Sequence, residues 1–346
     1  MKEMTSLERV LITLGHKEPD RVPLFLLLTM HGAKELGMTI KEYFSNGKNV
    51  AEGQLRMRAK YGHDCIYPFF YAPIEVEAWG GEVIYNENGP PNSGTPIIHN
   101  PTQILKMQAP KVIGNDCLEK VLDCIRILKE EVKEEVPIVG VIMSPFSLPV
   151  MQMGFEGYLK LIYEEPEIFE HLMKINEEFS VSWANEQLSA GATAITYFDP
   201  ISSTSMIPRE LFLKTGFQVA KRTIARIKGP TAVHFASGRC LPIIDDIAQV
   251  GTAIIGTSVL EDLSEVKSTC NSRLTVLGNL NGVEMCRWTK KEAETAVKNA
   301  IDKAASGGGF ILADNHGEIP FQVSEEIIMT IAETVRKYGK YTLKKQ

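Results

Sequence analysis

Eight short runs of apolar residues constrain this chain more than any other feature. They are "RVPLFLLL" (21–28), "DCIYPFF" (64–70), "VPIVGVIM" (136–143), "TAITYFD" (193–199), "TAVHFA" (231–236), "TAIIGTS" (252–258), "LTVLGNL" (274–280) and "GGFILAD" (308–314). Each run is continuously apolar. A strand with one wet face would alternate, so these suit parallel strands buried on both faces. Helical patterns separate most of them, as in 155–191, 208–229 and 289–309. Thr289 with Glu292 three residues on forms a capping-box pattern, and Gly307 to Gly309 stops that helix before the last run. Strand and helix alternating eight times predict an α/β fold, one (β/α)8 TIM barrel, with the whole chain 1–346 as a single domain. Residues 71–135 read as an insertion, because "AWGGEVIYNENGPPNSGTP" is dense in turn residues. The rival is an open doubly wound sheet, which would carry a glycine-rich turn after an early strand. Here "GGG" precedes a strand instead.

Of the 346 residues 44% are apolar, enough for a large core, and the net charge is −6. That sign argues against a nucleic-acid partner or an anionic membrane surface. An uninterrupted apolar stretch such as Val22–Leu28 is too short to span a bilayer. The first residues lack the apolar core of a signal peptide, which predicts a cytoplasmic protein. Six cysteines without a C-x-x-C pair read as reduced, packed thiols. Cys240 stands out only because it lies close to His234.

In such barrels chemistry sits at the C-terminal ends of the strands. Those ends offer His31, Phe69, Tyr71, Met143, Tyr197, Asp199, His234, Asn279, Asp314 and His316. They offer no arginine cluster, no nucleophile elbow and no H-E-x-x-H. The set describes an apolar pocket with a few polar groups. His234, His316 and Asp199 are the candidate catalytic residues. His31, Phe69, Tyr71, Met143, Tyr197 and Asn279 are the candidate substrate contacts. Each has a plainer reading: His234 as a satisfied interior histidine, His316 as a solvated loop residue, Asp199 as a turn cap.

Longer stretches carry a likeness: "LERVLITLGHKEPDRVPLF", "VIMSPFSLPVMQMGFEGYLKLIYEEPEIFEHLM", "SAGATAITYFDPISSTSMIPRELF", "VLGNLNG" and "GGFILADNHGEIPFQVSEE". Together they resemble the uroporphyrinogen decarboxylase superfamily, in its branch of corrinoid-dependent methyltransferases. The resemblance implies a TIM barrel, with an N-terminal helical extension before the first run, that passes a methyl group between a small methylated substrate and a corrinoid (cobalamin) carried by a partner protein. Two departures matter. The arginine loop that grips porphyrinogen carboxylates in the decarboxylases reads "TMHGAKELG" here. The H-x-C-G zinc motif of the coenzyme M methyltransferases reads "HFAS", and the second cysteine place is His316. The resemblance thus implies that His234 and His316 share a site. With Asp314 or Asp199 they would form a nitrogen–oxygen zinc set; without metal they would act as acids or donors. Loss of both cysteines counts against methylation of a thiol such as coenzyme M, and the aromatic residues at the strand ends favour a methoxylated aromatic as donor, with a methylamine or another one-carbon donor left open. The same fold could also serve porphyrinogen decarboxylation or act as a non-catalytic binding barrel.

Overall fold

The computed structural model describes residues 4–341. A small antiparallel hairpin, β1 (Val83–Ile84) with β2 (Asn92–Ser93), stands apart from the main sheet. That sheet is parallel and runs in chain order through β3 (Val139–Met143), β4 (Ala194–Phe198), β5 (Thr231–His234), β6 (Ile254–Gly256), β7 (Thr275–Leu277) and β8 (Phe310–Ile311). Every residue of β3 and of β5 to β8 is buried. Burial on both faces is why these runs lack polar alternation.

The first two apolar runs complete the ring with few bonds. Phe25 N–H donates to Leu312 O at 2.8 Å, and Leu312 N–H to Pro23 O at 3.0 Å. Asp64 N–H reaches Leu24 O at 2.7 Å. Ile66 N–H donates to Pro137 O and Val139 N–H to Ile66 O, both at 2.9 Å. The chain therefore closes a (β/α)8 barrel. The eight apolar runs predict eight regular strands, and two of the eight are single bridges instead. The reason is local. Proline has no N–H to give the ladder, and side chains take over backbone partners. Leu24 N–H is held by the Asp64 carboxylate at 2.9 Å. The Gln54 amide spans Leu28 O (2.7 Å) and Tyr67 N–H (3.1 Å). The Gln187 amide does the same for both backbone groups of Val141. Glu75 accepts from Met143 N–H at 2.7 Å.

The insertion is shorter than 71–135. The helix Asp116–Val132 packs on the helices Gly47–Tyr61 and Pro166–Ala190 and so belongs to the outer ring of the barrel. Its apolar stripe, with Leu118, Leu122, Ile125 and Leu128 buried, is that of a helix laid on a sheet. The hairpin and the short turn Pro101–Lys106 stay outside the barrel pattern. The outer ring closes where the last helix, Glu325–Tyr338, packs on both Lys290–Ala304 and Gly47–Tyr61. Among the described residues no helix is long and apolar enough to cross a membrane.

The expected N-terminal helix is Ser6–Leu14, started by a Thr5–Glu8 capping box. It lies beneath the barrel, tied there by buried Asp64. That carboxylate accepts from Ser6 Oγ (2.9 Å), Arg9 Nη1 (2.7 Å) and both Arg21 Nη atoms (2.5 and 3.0 Å). Asp20 takes the other edge of Arg9 at 2.6 and 2.7 Å. Two cations and two anions neutralise one another, with Arg9 and Asp64 buried and Asp20 reaching the surface. Removing one partner strands the rest, which typically costs ~3–5 kcal/mol. Asp64→Ala should therefore lower the urea midpoint by a stability loss of that order, with little change in slope. A loss below about 1 kcal/mol, the worth of an exposed pair, would contradict this account.

Candidate active site

β5 ends at His234, whose ring faces the barrel interior. Its Nδ1 accepts a hydrogen bond from Ala236 N–H at 3.0 Å. A neutral imidazole that accepts at Nδ1 carries its proton on Nε2. His234 Nε2 is buried and has no protein partner. The return of the chain to give that bond puts Ala236 at φ 51, in the left-handed region. Gly256, the register partner of His234 on β6, makes the room, since a Cβ there would strike the imidazole. Phe198 lies against the ring with centroids 4.8 Å apart, and Phe69 stacks on Phe198 at 6.3 Å and 14°. Met143, beside Phe198 in register, shares that inward face.

The loop after β8 presses on the same spot. Gly317 sits so close to Phe198 that a Cβ would collide with the ring. Asp314 is buried. Its Oδ2 accepts from His316 N–H (2.7 Å) and Gly317 N–H (2.9 Å), while Oδ1 has no partner. Burial pushes this carboxyl up to about 6. Glu318 accepts from the Thr29 hydroxyl. Glu318 as a whole is partly exposed, and burial of its carboxyl raises it to about 7. Tyr67, fully buried with an unpartnered hydroxyl, feels both carboxylates. His316 is half-buried, with Nδ1 unpartnered, and burial lowers its basicity. Burial, and then the His316 charge, pull His234 down to about 3. Around neutral pH the site thus holds a neutral imidazole N–H at the end of β5, with His316 near it, and two buried carboxyls on the loop after β8 poised to give or take a proton.

The structure brings His234, His316, Asp314, Phe69 and Met143 together. It places other expected contacts elsewhere. Tyr197 lies on the opposite face of β4 from Phe198, toward the outer helices. The Tyr71 hydroxyl turns to Glu77 (2.7 Å) and Tyr85 (3.2 Å). Asn279 bonds Ser258 O at 2.9 Å beside a groove lined by Trp288. His31 is buried edge-on to Phe321. Asp199 is taken by two hydroxyls, Ser144 at 2.6 Å and Ser147 at 2.7 Å, so it pins two loops together. Sequence reasoning misses Glu318 and Tyr67. Their one sequence signal is position: Tyr67 stands within the second apolar run, and Glu318 four residues past the last one.

A family profile described as Uroporphyrinogen decarboxylase (URO-D) matches residues 5–338. The chain belongs to the uroporphyrinogen decarboxylase family. Among its relatives, a methylcobamide:CoM methyltransferase, MtaA, of Methanosarcina barkeri (strain Fusaro) is 25% identical over 330 residues, spanning 89% of this chain and 94% of that protein. A uroporphyrinogen decarboxylase of Pelobacter propionicus is 23% identical over 88% of this chain and 91% of its own. A solved methyltransferase from Methanosarcina mazei superposes with a TM-score of 0.86 at 20% identity, covering 97% of this chain and 99% of the other. At that identity the superposition establishes the shared barrel fold.

The zinc set expected for this family member does not assemble. Zinc asks for three or four converging ligands. His234 Nε2, His316 Nδ1 and Asp314 Oδ1 are each unpartnered. Yet among the described residues no group of three His, Cys, Asp or Glu is arranged to hold a metal ion, and Asp314 is already oriented by two backbone N–H groups. Cys240 does not fill the gap. Its thiol bonds Glu261 at 3.4 Å, and burial with that carboxylate raises it well above the ordinary thiol range. The residues suit proton and hydrogen-bond chemistry instead.

His234 should therefore stay neutral, protonated at Nε2, throughout the range around 6.5 where a free histidine titrates. Long-range 1H–15N NMR of the imidazole reads this out. A His234 that titrates near its ordinary value would contradict the burial argument.

Proposed function

We propose that this protein moves a methyl group from a small methylated compound, a methoxylated aromatic by preference, to the cobalt of a corrinoid carried by a separate protein. The observation that carries the reading is the unpartnered Nε2–H of neutral His234 at the end of β5, together with two carboxyls on the loop after β8, Asp314 and Glu318, which burial raises to about 6 and about 7. Membership of the family and the likeness to a methylcobamide:CoM methyltransferase support methyl transfer.

When the partner docks, its reduced corrinoid supplies the nucleophile for the methyl carbon. The work left to this chain is at the oxygen. As the C–O bond breaks, both its electrons stay on oxygen, and an aryl oxide is a poor leaving group unless charge is relieved. His234 Nε2–H donates a hydrogen bond to that oxygen. Glu318, about half protonated at neutral pH, delivers the proton and is left as carboxylate; the product is a phenol. Phe69 and Phe198 give an aromatic ring a stacked wall beside His234. His316 and Asp314 complete the polar rim. A thiol acceptor would need activation as thiolate, and Cys240, whose thiol bonds Glu261 and is raised by burial, is not available to hold a metal for that purpose.

The assay follows the absorption of a reduced-corrinoid protein on adding an aryl methyl ether. Glu318→Gln and His234→Ala should each slow its loss by about 100-fold or more. The wild-type rate should fall as pH rises through about 7, where Glu318 gives up its proton, and Glu318→Gln should lose that limb. No reaction with aryl ethers or methylamines, alongside brisk methylation of coenzyme M, would favour methyl transfer to a thiol instead. Silence in both would favour a binding barrel.

A further inference from the structure

The interiors of such barrels are normally filled by layers of large branched side chains. This barrel is different along β3 to β6. Inward-facing residues retain contact with a water-sized sphere, whereas their outward neighbours have none. Val139 is 7% exposed and Ile138 0%; Ala232 is 6% and Val233 0%; Ile254 is 8% and Ile255 0%. The cause is in the sequence: Ala194, Thr196 and Ala232 stand at inward places where a larger residue would fill the axis.

The space they leave is a cavity of about 80 Å³ inside the barrel. His234 and Tyr67 form part of its wall, and Val10 and Leu14 of the N-terminal helix meet it from the opposite end. Its surface is almost wholly carbon. A buried water needs two to four polar partners, whereas apolar cavities stay dry and take apolar guests. The cavity is about half the size of the ~150 Å³ engineered cavity that binds benzene or xenon.

We infer that the barrel interior beneath His234 is a binding site for a short uncharged apolar group, from methyl to about propyl in size. His234 lines this lumen and its Nε2–H has no protein partner, so a ligand bonded there can extend an apolar substituent along the barrel axis. If the protein transfers methyl groups as proposed, that substituent belongs to the methyl donor. The lumen itself is a property of the fold and can be tested without any corrinoid.

Xenon is the probe, in pressurised crystals of the full chain and by 129Xe NMR in solution. The wild type should hold one xenon between Ala232, Ile254 and the His234 ring. Ala232→Leu fills the axis from a residue outside the catalytic set. It should weaken xenon binding at least tenfold, with the melting temperature unchanged or raised. No xenon in the wild-type lumen would overturn the inference, whether or not the variant folds. So would undiminished binding in a folded Ala232→Leu protein. Failure here leaves the methyl-transfer assay standing, and failure there leaves the lumen standing.

Discussion

The buried carboxylate of Asp64 is the interaction on which the early part of the barrel depends. It joins three pieces, the last of them some forty residues on from the others: the N-terminal helix through Ser6 and Arg9, the first apolar run through Arg21 and Leu24 N–H, and the second run, in which it stands. These two runs have only isolated bridges to their neighbours. Backbone pairing alone would hold them weakly. A charged hub with all its partners inside converts a loose pair of staves into a fixed floor for the site.

The same device recurs higher in the barrel. Gln54, Gln187 and Glu75 each lend a side chain to backbone groups that a regular ladder would have paired. Buried backbone groups must find partners, and these three supply them. The cost falls on Glu75, whose carboxyl burial raises to about 8. What is gained is freedom of path: the chain from Tyr67 to Met143 can leave the sheet, bring Phe69 over the mouth and return.

Burial also sets the chemistry. The same removal from water that pulls His234 down holds Asp314 and Glu318 up. The charged forms of all three are penalised together, so the mouth is kept close to neutral, with mobile protons rather than fixed charges. That suits an uncharged ligand whose charge develops only during reaction. It suits an octacarboxylate poorly, in keeping with the loop "TMHGAKELG", which has no arginine.

Local order is legible in the chain itself. Run length and continuous apolarity give buried parallel strands; Thr289 with Glu292 gives the helix start that the structure has; strand ends give His234, His316, Asp314 and Phe69. These follow from short-range rules, because a residue's neighbours along the chain set its period and its caps. Side-chain direction and partner choice do not. Tyr197 and Phe198 are adjacent and both aromatic, yet only one faces the imidazole, because successive residues on a strand point to opposite faces. Asp199 stands where a catalytic carboxylate could, yet Ser144 and Ser147 claim it. Glu318 has the sequence setting of any loop glutamate, yet Thr29, at the far end of the chain, encloses it. The order of residues is enough to specify the barrel and the rim from which its chemistry must come. Which of those groups lose water, and therefore which hold a proton at neutral pH, depends on distant segments packing around them.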